Sequence, residues 1–205
     1  MKSIITVVFF AFSFICGLSP AFAGEHQLGF SVGSAGGTYH EPNLDISLAG
    51  ARLDLPTYEY IFDSNFVFQA QYNSWALTGT EYVVIDGWTV TAEVEYVQVA
   101  FLIGGGYRIE ASKDFFITPS LLIGSSTGTT TLTASLLGNS VSNSYTASGG
   151  MSGVEIPFMW RVKDNLELGF KLGGYSSGMD ILWDDGSKSE VRITGSGAYT
   201  MRWVF

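Results

Sequence analysis

The last seven residues, Tyr199-Thr200-Met201-Arg202-Trp203-Val204-Phe205, decide the fold. Large apolar side chains fall at every second position, with Thr200 and Arg202 between them, and the sequence stops on an aromatic residue. Successive side chains of an extended strand point to opposite sides, so a repeat of two means one apolar face and one polar face. The same pattern runs back through the chain. Leu166, Leu168, Phe170 and Leu172 alternate with Glu167, Gly169, Lys171 and Gly173; Val154, Ile156, Phe158, Trp160 and Val162 alternate with Glu155, Pro157, Met159 and Arg161. Phe66, Phe68, Ala70 and Tyr72 do so against Val67, Gln69, Gln71 and Asn73. Val97, Val99, Phe101, Ile103 and Tyr107 do so against Gln98, Ala100, Leu102, Gly106 and Arg108. These are strands.

Three short polar turns punctuate them, at Asp63-Ser64-Asn65, Ala111-Ser112-Lys113-Asp114 and Lys163-Asp164-Asn165. If each interval and each flank is one hairpin, the opposite tips belong near the midpoints, residues 44, 88, 138 and 184. Asp86-Gly87, Gly138-Asn139 and Asp185-Gly186 supply turn signals within two residues of the last three. The first hairpin has its glycine-rich tip somewhat earlier, within residues 36–43. Four hairpins make eight strands. Each half-hairpin holds about 20–25 residues where a tilted strand crosses a bilayer in about 9–11, so the strands must run on past it. Residues 129–144 keep a strand-like composition through their tip, and the third hairpin should stand out as a β-ribbon.

Composition agrees and excludes much else. Of 205 residues 46% are hydrophobic, 15% aromatic and 14% charged, and 25 glycines outnumber 5 prolines, which favours turns and close strand contacts over helices. A net charge of −9 speaks against nucleic acid or another phosphate-rich partner. The single cysteine, Cys16, lies near the start, so the remainder builds no disulfide scaffold, thiolate zinc site or cysteine nucleophile. The first residues read as an export leader: Lys2, an apolar run over residues 4–18, Pro20, and an Ala21-Phe22-Ala23 cleavage site before Gly24. That run is shorter than the ~20 residues a spanning helix wants, and no basic stop signal follows it. The expected organisation is a cleaved signal peptide over residues 1–23 and one β-barrel domain over residues 24–205.

In lipid every strand must be paired, so a spanning sheet has to close; eight strands give the smallest common closure, filled inside by side chains. The apolar sets are then expected against lipid, with water-loving groups along the interior. The inward charges by this alternation are Arg52, Asp54, Arg108, Glu155, Arg161, Glu167, Lys171, Arg192 and Arg202, with Gln69, Gln71, Gln98, Thr118, Ser120 and Thr200 among them. Glu59 joins them only if Pro56-Thr57 is a bulge, because the apolar positions switch parity there from Leu53 and Leu55 to Tyr58 and Tyr60. Six bases against four acids suit buried ion pairs that plug a narrow lumen, and do not suit a single-sign ring that selects ions. Outward aromatics gather toward the short turns: Tyr58, Tyr60, Phe62, Phe66, Tyr107, Phe115, Phe158, Trp160, Trp203 and Phe205 form an interfacial girdle. The competing assignment is a soluble barrel whose apolar set surrounds a ligand.

A final strand with Tyr199, Met201, Trp203 and Phe205 on one face resembles the insertion signal of bacterial outer-membrane barrels. With it, residues 24–205 as a whole resemble the small eight-stranded outer-membrane proteins of the OmpA/OmpX type, in architecture and without a subfamily motif. The resemblance implies an all-β fold: an eight-stranded antiparallel up-and-down transmembrane β-barrel, integral to the bacterial outer membrane. Its turns and termini would be periplasmic and its long hairpin extensions extracellular. It implies three partners: outer-membrane lipid and lipopolysaccharide, the barrel-assembly machinery through the C-terminal strand, and an extracellular protein or surface. Members act variously as adhesins, envelope-stabilising proteins, narrow channels or lipid-modifying enzymes, so fold alone does not choose among them.

Little in the chain suggests chemistry. His26 opens the first strand, and His40 sits in the first outer loop beside Glu41 with Asp45 nearby; neither has the serine neighbours of a lipid-modifying barrel. Outer acids including Glu41, Asp45, Glu81, Asp86, Glu93, Glu95, Asp184, Asp185 and Glu190 face Lys188 as the one exposed base. Their spacing matches no calcium loop and reads as a solvated acidic fringe. Gly104-Gly105-Gly106 lies inside a strand, where it permits close packing rather than phosphate binding. The expectation is a plugged, non-enzymatic barrel without cofactor or metal, serving a structural, adhesion or surface-interaction role through protruding acidic loops. A channel or transporter for small or apolar solutes is the alternative, with a lipid-modifying enzyme third.

Overall fold

A computed structural model of the chain describes residues 24–41, 44–177, 180–182 and 188–205. The expected leader with Ala21 and Ala23, the tip at Asp184 and Asp185-Gly186, and the side chain of Lys188 lie outside the described residues. The strands are β1 (Gly24–Glu41), β2 (Leu44–Phe62), β3 (Phe66–Ile85), β4 (Trp88–Tyr107), β5 (Ile109–Ser112), β6 (Phe115–Ile117), β7 (Ser120–Leu136), β8 (Asn139–Lys163), β9 (Leu166–Ser177), β10 (Asp180–Leu182) and β11 (Lys188–Val204). Pairing is antiparallel throughout, and it closes: β1 with β2, β2 with β3, β3 with β4, β4 with β7, β7 with β8, β8 with β9, β9 with β11, and β11 with β1. The wall is an eight-stranded up-and-down barrel. The short β5, β6 and β10 are continuations of β4, β7 and β9. The C-terminal strand makes the closing seam, where Gln27 faces Val204 and the Phe205 backbone N–H donates to the His26 carbonyl at 2.9 Å.

Turns at residues 63–65, 113–114 and 164–165 join strands at one end of the barrel. At the other, Asp86-Gly87 (φ 51° and 83°) and Leu137-Gly138 (φ 50° and 84°) form two-residue turns with both backbones left-handed. Such turns match the twist of the strands they join. The third tip thus lies one residue before Gly138-Asn139. The first tip differs more: β1 and β2 pair out to Glu41 opposite Leu44, so the connection is residues 42–43, themselves outside the described residues. Gly36 and Gly37 instead mark a register shift inside β1.

Two features position everything else. First, four strands outrun the others. β2 follows β3 only to Ala49 opposite Thr78, and β9 meets β8 only from Met151 opposite Ser177. The β3–β4 ladder continues to Ile85 opposite Trp88, and the β7–β8 ladder to Leu136 opposite Asn139. A four-stranded fin, β3-β4-β7-β8, therefore stands beyond the rim.

Second, the wall exchanges its polarity halfway up. In the lower storey, nearer the short turns, Arg52, Gln69, Gln71, Glu155, Lys171 and Arg202 are buried inside, while their strand neighbours Leu53, Phe68, Tyr72, Val154, Leu172 and Trp203 are exposed. In the upper storey Ile46, Leu48, Trp75, Leu77, Val94, Tyr96, Val191 and Ile193 form one buried inner cluster. Their neighbours Asp45, Ser47, Thr78, Glu93, Glu95 and Arg192 face outward into solvent. The interior is therefore polar along half of its length rather than all of it, which corrects the uniform alternation expected from sequence. An apolar side chain gains by leaving water, and which side of the wall is wet decides where it goes.

Candidate functional site

The lower lumen is built around Arg52. Its Nε donates to Asp54 at 2.8 Å and its Nη2 to Glu155, while its guanidinium lies 4.8 Å from the Tyr175 ring and 5.8 Å from that of Trp75. Lys171 Nζ approaches Asp54 at 2.5 Å and Glu155 at 3.4 Å. Glu155 also accepts from Tyr175, from Gln69 at 3.2 Å and from Gln71 at 3.1 Å, and Asp54 accepts from Asn73 at 2.6 Å. The side chains of Arg52, Asp54, Glu155 and Lys171 are at most 1% exposed, so the quartet fills the cross-section. Close wall packing helps to enclose it: a Cβ on Gly104 would lie 1.9 Å from the Leu121 carbonyl oxygen, which only glycine tolerates.

Nearer the turns, Arg108 donates to Glu167 at 2.6 Å and to Glu25 at 2.9 Å, and Arg161 to the same two carboxylates at 2.7 Å each. The Arg108 guanidinium lies 3.6 Å from the Phe116 ring, which stands inside the mouth. Beside them Arg202 pairs with Glu59 at 2.7 Å, Glu59 having been turned inward by a slip in pairing between Asp54 and Thr57. A polar vestibule of about 490 Å³ opens below, bordered by Glu25, Asp63, Glu110, Lys113 and Arg161.

Arg192 does not belong to this network. It is exposed and forms a two-pronged pair with Glu190 at 2.8 Å on the outer face. The cause is the register shift opposite Gly36 and Gly37, where Gly195 and Ile193 become successive partners and Thr194 is extra. Above it the odd residues Val191 and Ile193 point inward; below it the even residues Ala198, Thr200 and Arg202 do. Alternation counted from the C-terminus crossed a bulge. Conversely Glu25 was missed, being the second residue of β1 and lacking an apolar run before it. With Arg192 removed and Glu25 added, the lumen holds five bases and five acids. Arg192→Ala should leave the urea midpoint of the detergent-folded barrel unchanged, whereas Arg202→Ala, which orphans buried Glu59, should lower it. Equal losses would place both side chains in the lumen.

Outside, the lower storey is a belt of Phe66, Phe68, Phe101, Leu121, Ile123, Leu172 and Tyr199, with Leu121 68% and Tyr199 78% exposed. Stacked rings, Phe115 on Trp160 at 4.5 Å and Phe158 on Phe170 at 4.8 Å, stiffen its turn side. So much exposed apolar surface around a closed sheet is the exterior of a transmembrane barrel.

The upper storey has other chemistry. Tyr39 donates to Glu41 at 2.8 Å, the Ser189 hydroxyl lies 3.1 Å from its phenol oxygen, and burial pushes that phenol well above the usual range. Hydrogen bonds from Arg192 hold the Glu190 carboxyl below the usual range. On the outer face of the fin, four cross-strand hydroxyl pairs form a ladder: Thr127–Ser148, Thr129–Thr146 and Thr131–Ser144 at 2.8 Å, and Thr133–Ser142 at 2.6 Å. His40 bonds to Asp45 on the exposed rim, and His26 Nδ1 lies 2.9 Å from the Tyr58 hydroxyl at the base. Among the described residues no three metal-ligating side chains converge.

No protein-family model matches the chain, and no curated protein matches it in sequence. Solved structures similar to it include the attachment invasion locus protein Ail of Yersinia pestis, 16% identical over 90% of this chain and 100% of that one, TM-score 0.45. Others are the outer membrane protein OprG from Pseudomonas aeruginosa (10% identical, 90% and 96% covered, TM-score 0.48) and a major outer membrane protein from Thermus thermophilus (10%, 89% and 100%, TM-score 0.49).

Proposed function

We propose that this chain is an integral barrel of the bacterial outer membrane, exported by a cleaved leader over residues 1–23, whose lumen does not conduct and whose fin is a surface for interaction with other macromolecules. The exchange of polarity between storeys carries the reading. A wall apolar outside and polar inside suits lipid; one polar outside and apolar inside suits water. Having both in one wall makes the lower storey the membrane-crossing part and leaves the upper storey and fin in water. Short turns and the start of β1 and end of β11 share the lower end, which supports a periplasmic position for it.

Neither storey offers an ion a continuous polar path, because ten mutually neutralised side chains fill one and an apolar cluster fills the other. The fin, in contrast, displays apolar side chains far from the belt: Tyr82, Val84, Trp88, Leu137 and Val141 are 55–76% exposed. Exposed apolar groups held away from lipid mark contact surfaces. The histidines are engaged by Tyr58 and Asp45 rather than by a nucleophile, so the reading is non-enzymatic and involves no cofactor. Partners are lipid and lipopolysaccharide around the belt, the assembly machinery that reads Tyr199, Met201, Trp203 and Phe205, and an extracellular surface for the fin.

In planar bilayers the full mature chain should give no steady conductance. Protease added to intact cells should cut within residues 129–146 and leave a heat-modifiable core. Steady openings, or cleavage that needs a broken outer membrane, would defeat the proposal.

A further inference from the structure

Resting on the reading of the fin as an interaction surface, we infer that its two hairpin tips insert into the interface of a second, zwitterionic phospholipid bilayer facing the one the barrel crosses. The two tips stand together. Thr91 of β4 faces Ser135 of β7, which sets Asp86-Gly87 and Leu137-Gly138 side by side at one height. Past that pair, residues 83–90 and 136–139 hold seven apolar side chains and a single charge, Asp86. Both faces of the tip are apolar, and that selects lipid as the occupant. Val84 shares the outer face with Thr78 and Thr80, whereas Ile85, Trp88 and Leu136 share the inner face with Leu77, Val94 and Leu132. All four tip residues are exposed. A protein partner covers one face of a sheet and leaves the other in water; a lipid interface surrounds both.

That bilayer is not the barrel's own. Leu137 lies sixteen residues beyond the belt residue Leu121, about 50 Å along an extended strand, which even at a tilt of about 45° exceeds the ~25 Å height of a barrel's apolar band. Leu137 is also out of keeping with its turn. Its φ of 50° is a left-handed conformation that asparagine, aspartate and glycine adopt readily and leucine seldom does. Asp86, at the matching position of the first turn (φ 51°), follows that preference. A leucine there is ill suited to the backbone and 76% exposed, so neither turn chemistry nor packing accounts for it. Contact with a nonpolar phase does. Depth follows from the neighbours. Tyr82 and Trp88 carry amphipathic rings suited to the headgroup boundary, where Asp86 meets the ammonium of a zwitterionic lipid. Exposed Glu93 and Glu95 and the hydroxyl ladder stop deeper entry, and the same acids repel an anionic surface.

The test places the full mature chain in phosphatidylcholine nanodiscs and adds separate phosphatidylcholine vesicles whose acyl chains carry bromine near the headgroup. Loaded discs should float with the vesicles, and the vesicle bromines should quench tryptophan emission; Trp88→Phe should remove most of that quenching. Leu137→Asn is the decisive variant. It supplies the asparagine-glycine pair this turn prefers, so its urea midpoint should equal or exceed that of the wild type. Vesicle binding should nevertheless fall by about tenfold or more, the scale of one buried leucine. Adding phosphatidylglycerol to the vesicles should weaken binding further. Absent flotation, flotation without quenching, undiminished binding of Leu137→Asn, tighter binding to phosphatidylglycerol vesicles, or discs that associate with each other in preference to vesicles would each overturn the inference. A fin that protease reaches only after the outer membrane is broken would defeat the underlying reading instead.

Discussion

Glu155→Gln should destabilise the folded barrel by about 3–5 kcal/mol, the scale of removing one partner from a buried ion pair. The substitution keeps the shape of the side chain and deletes one charge, so a loss of this size reports electrostatics and not a cavity. Arg52 and Lys171 would share Asp54 alone, leaving one positive charge uncompensated where the surrounding side chains are at most 1% exposed. The new amide group would also point a donor toward Gln69, Gln71 and Tyr175, all of which donate to Glu155 in the native arrangement. Adding Lys171→Met should restore part of the loss, since Arg52 and Asp54 then balance, and the double substitution should be less harmful than the sum of the two singles. Glu81→Gln on the exposed fin is the control and should change nothing. Urea titration in micelles, read by heat-modifiable migration, measures all four. A loss for Glu155→Gln below about 1 kcal/mol, the scale of an exposed pair, would mean that water reaches the quartet and that the lumen is open.

The eight strands, the three short turns and the second and third tips were legible because each depends on a short-range rule. Period-two alternation needs only neighbouring residues, and a two-residue turn needs only its own φ angles, which is why Asp86-Gly87 fell in place. Glu59 was legible too, because its bulge leaves a parity break between Leu55 and Tyr58. Arg192 was not. Its bulge sits among Thr194, Gly195, Ser196 and Gly197, where no large side chain records which way the strand faces. The exchange of polarity left a plainer trace: on β2 the apolar residues move from Ile46 and Leu48 to Leu53 and Leu55, even to odd, with no bulge between. A parity change without a bulge means that the environment has exchanged sides. It escapes any account that assigns one solvent to the whole outer wall. The partnerships inside the lumen, such as Arg52 with Glu155 across 103 positions, depend on closure and shear and have no local signature.

That exchange makes β7 a ruler for the membrane. Leu121 and Thr131 lie on the same strand and the same outward face, ten positions apart, with Leu121 in the belt and Thr131 in the hydroxyl ladder opposite Ser144. Leu121→Arg should cost about 2–4 kcal/mol in lipid vesicles, the expected penalty for arginine near the bilayer midplane. Thr131→Arg, carrying the same charge and a larger change in volume, should cost nothing measurable, because its side chain would stand in water. In a soluble barrel the two would be alike, since both side chains leave the wall on the same side. Moving the arginine through Ile123, Ser125, Thr127 and Thr129 should trace a decline in cost, and the position at which it vanishes marks the outer edge of the hydrocarbon. In detergent micelles the profile should flatten, as a micelle adapts its thickness where a bilayer resists. If Thr131→Arg were as costly as Leu121→Arg, the ladder would be in lipid, and the upper storey would have to be reassigned to the membrane.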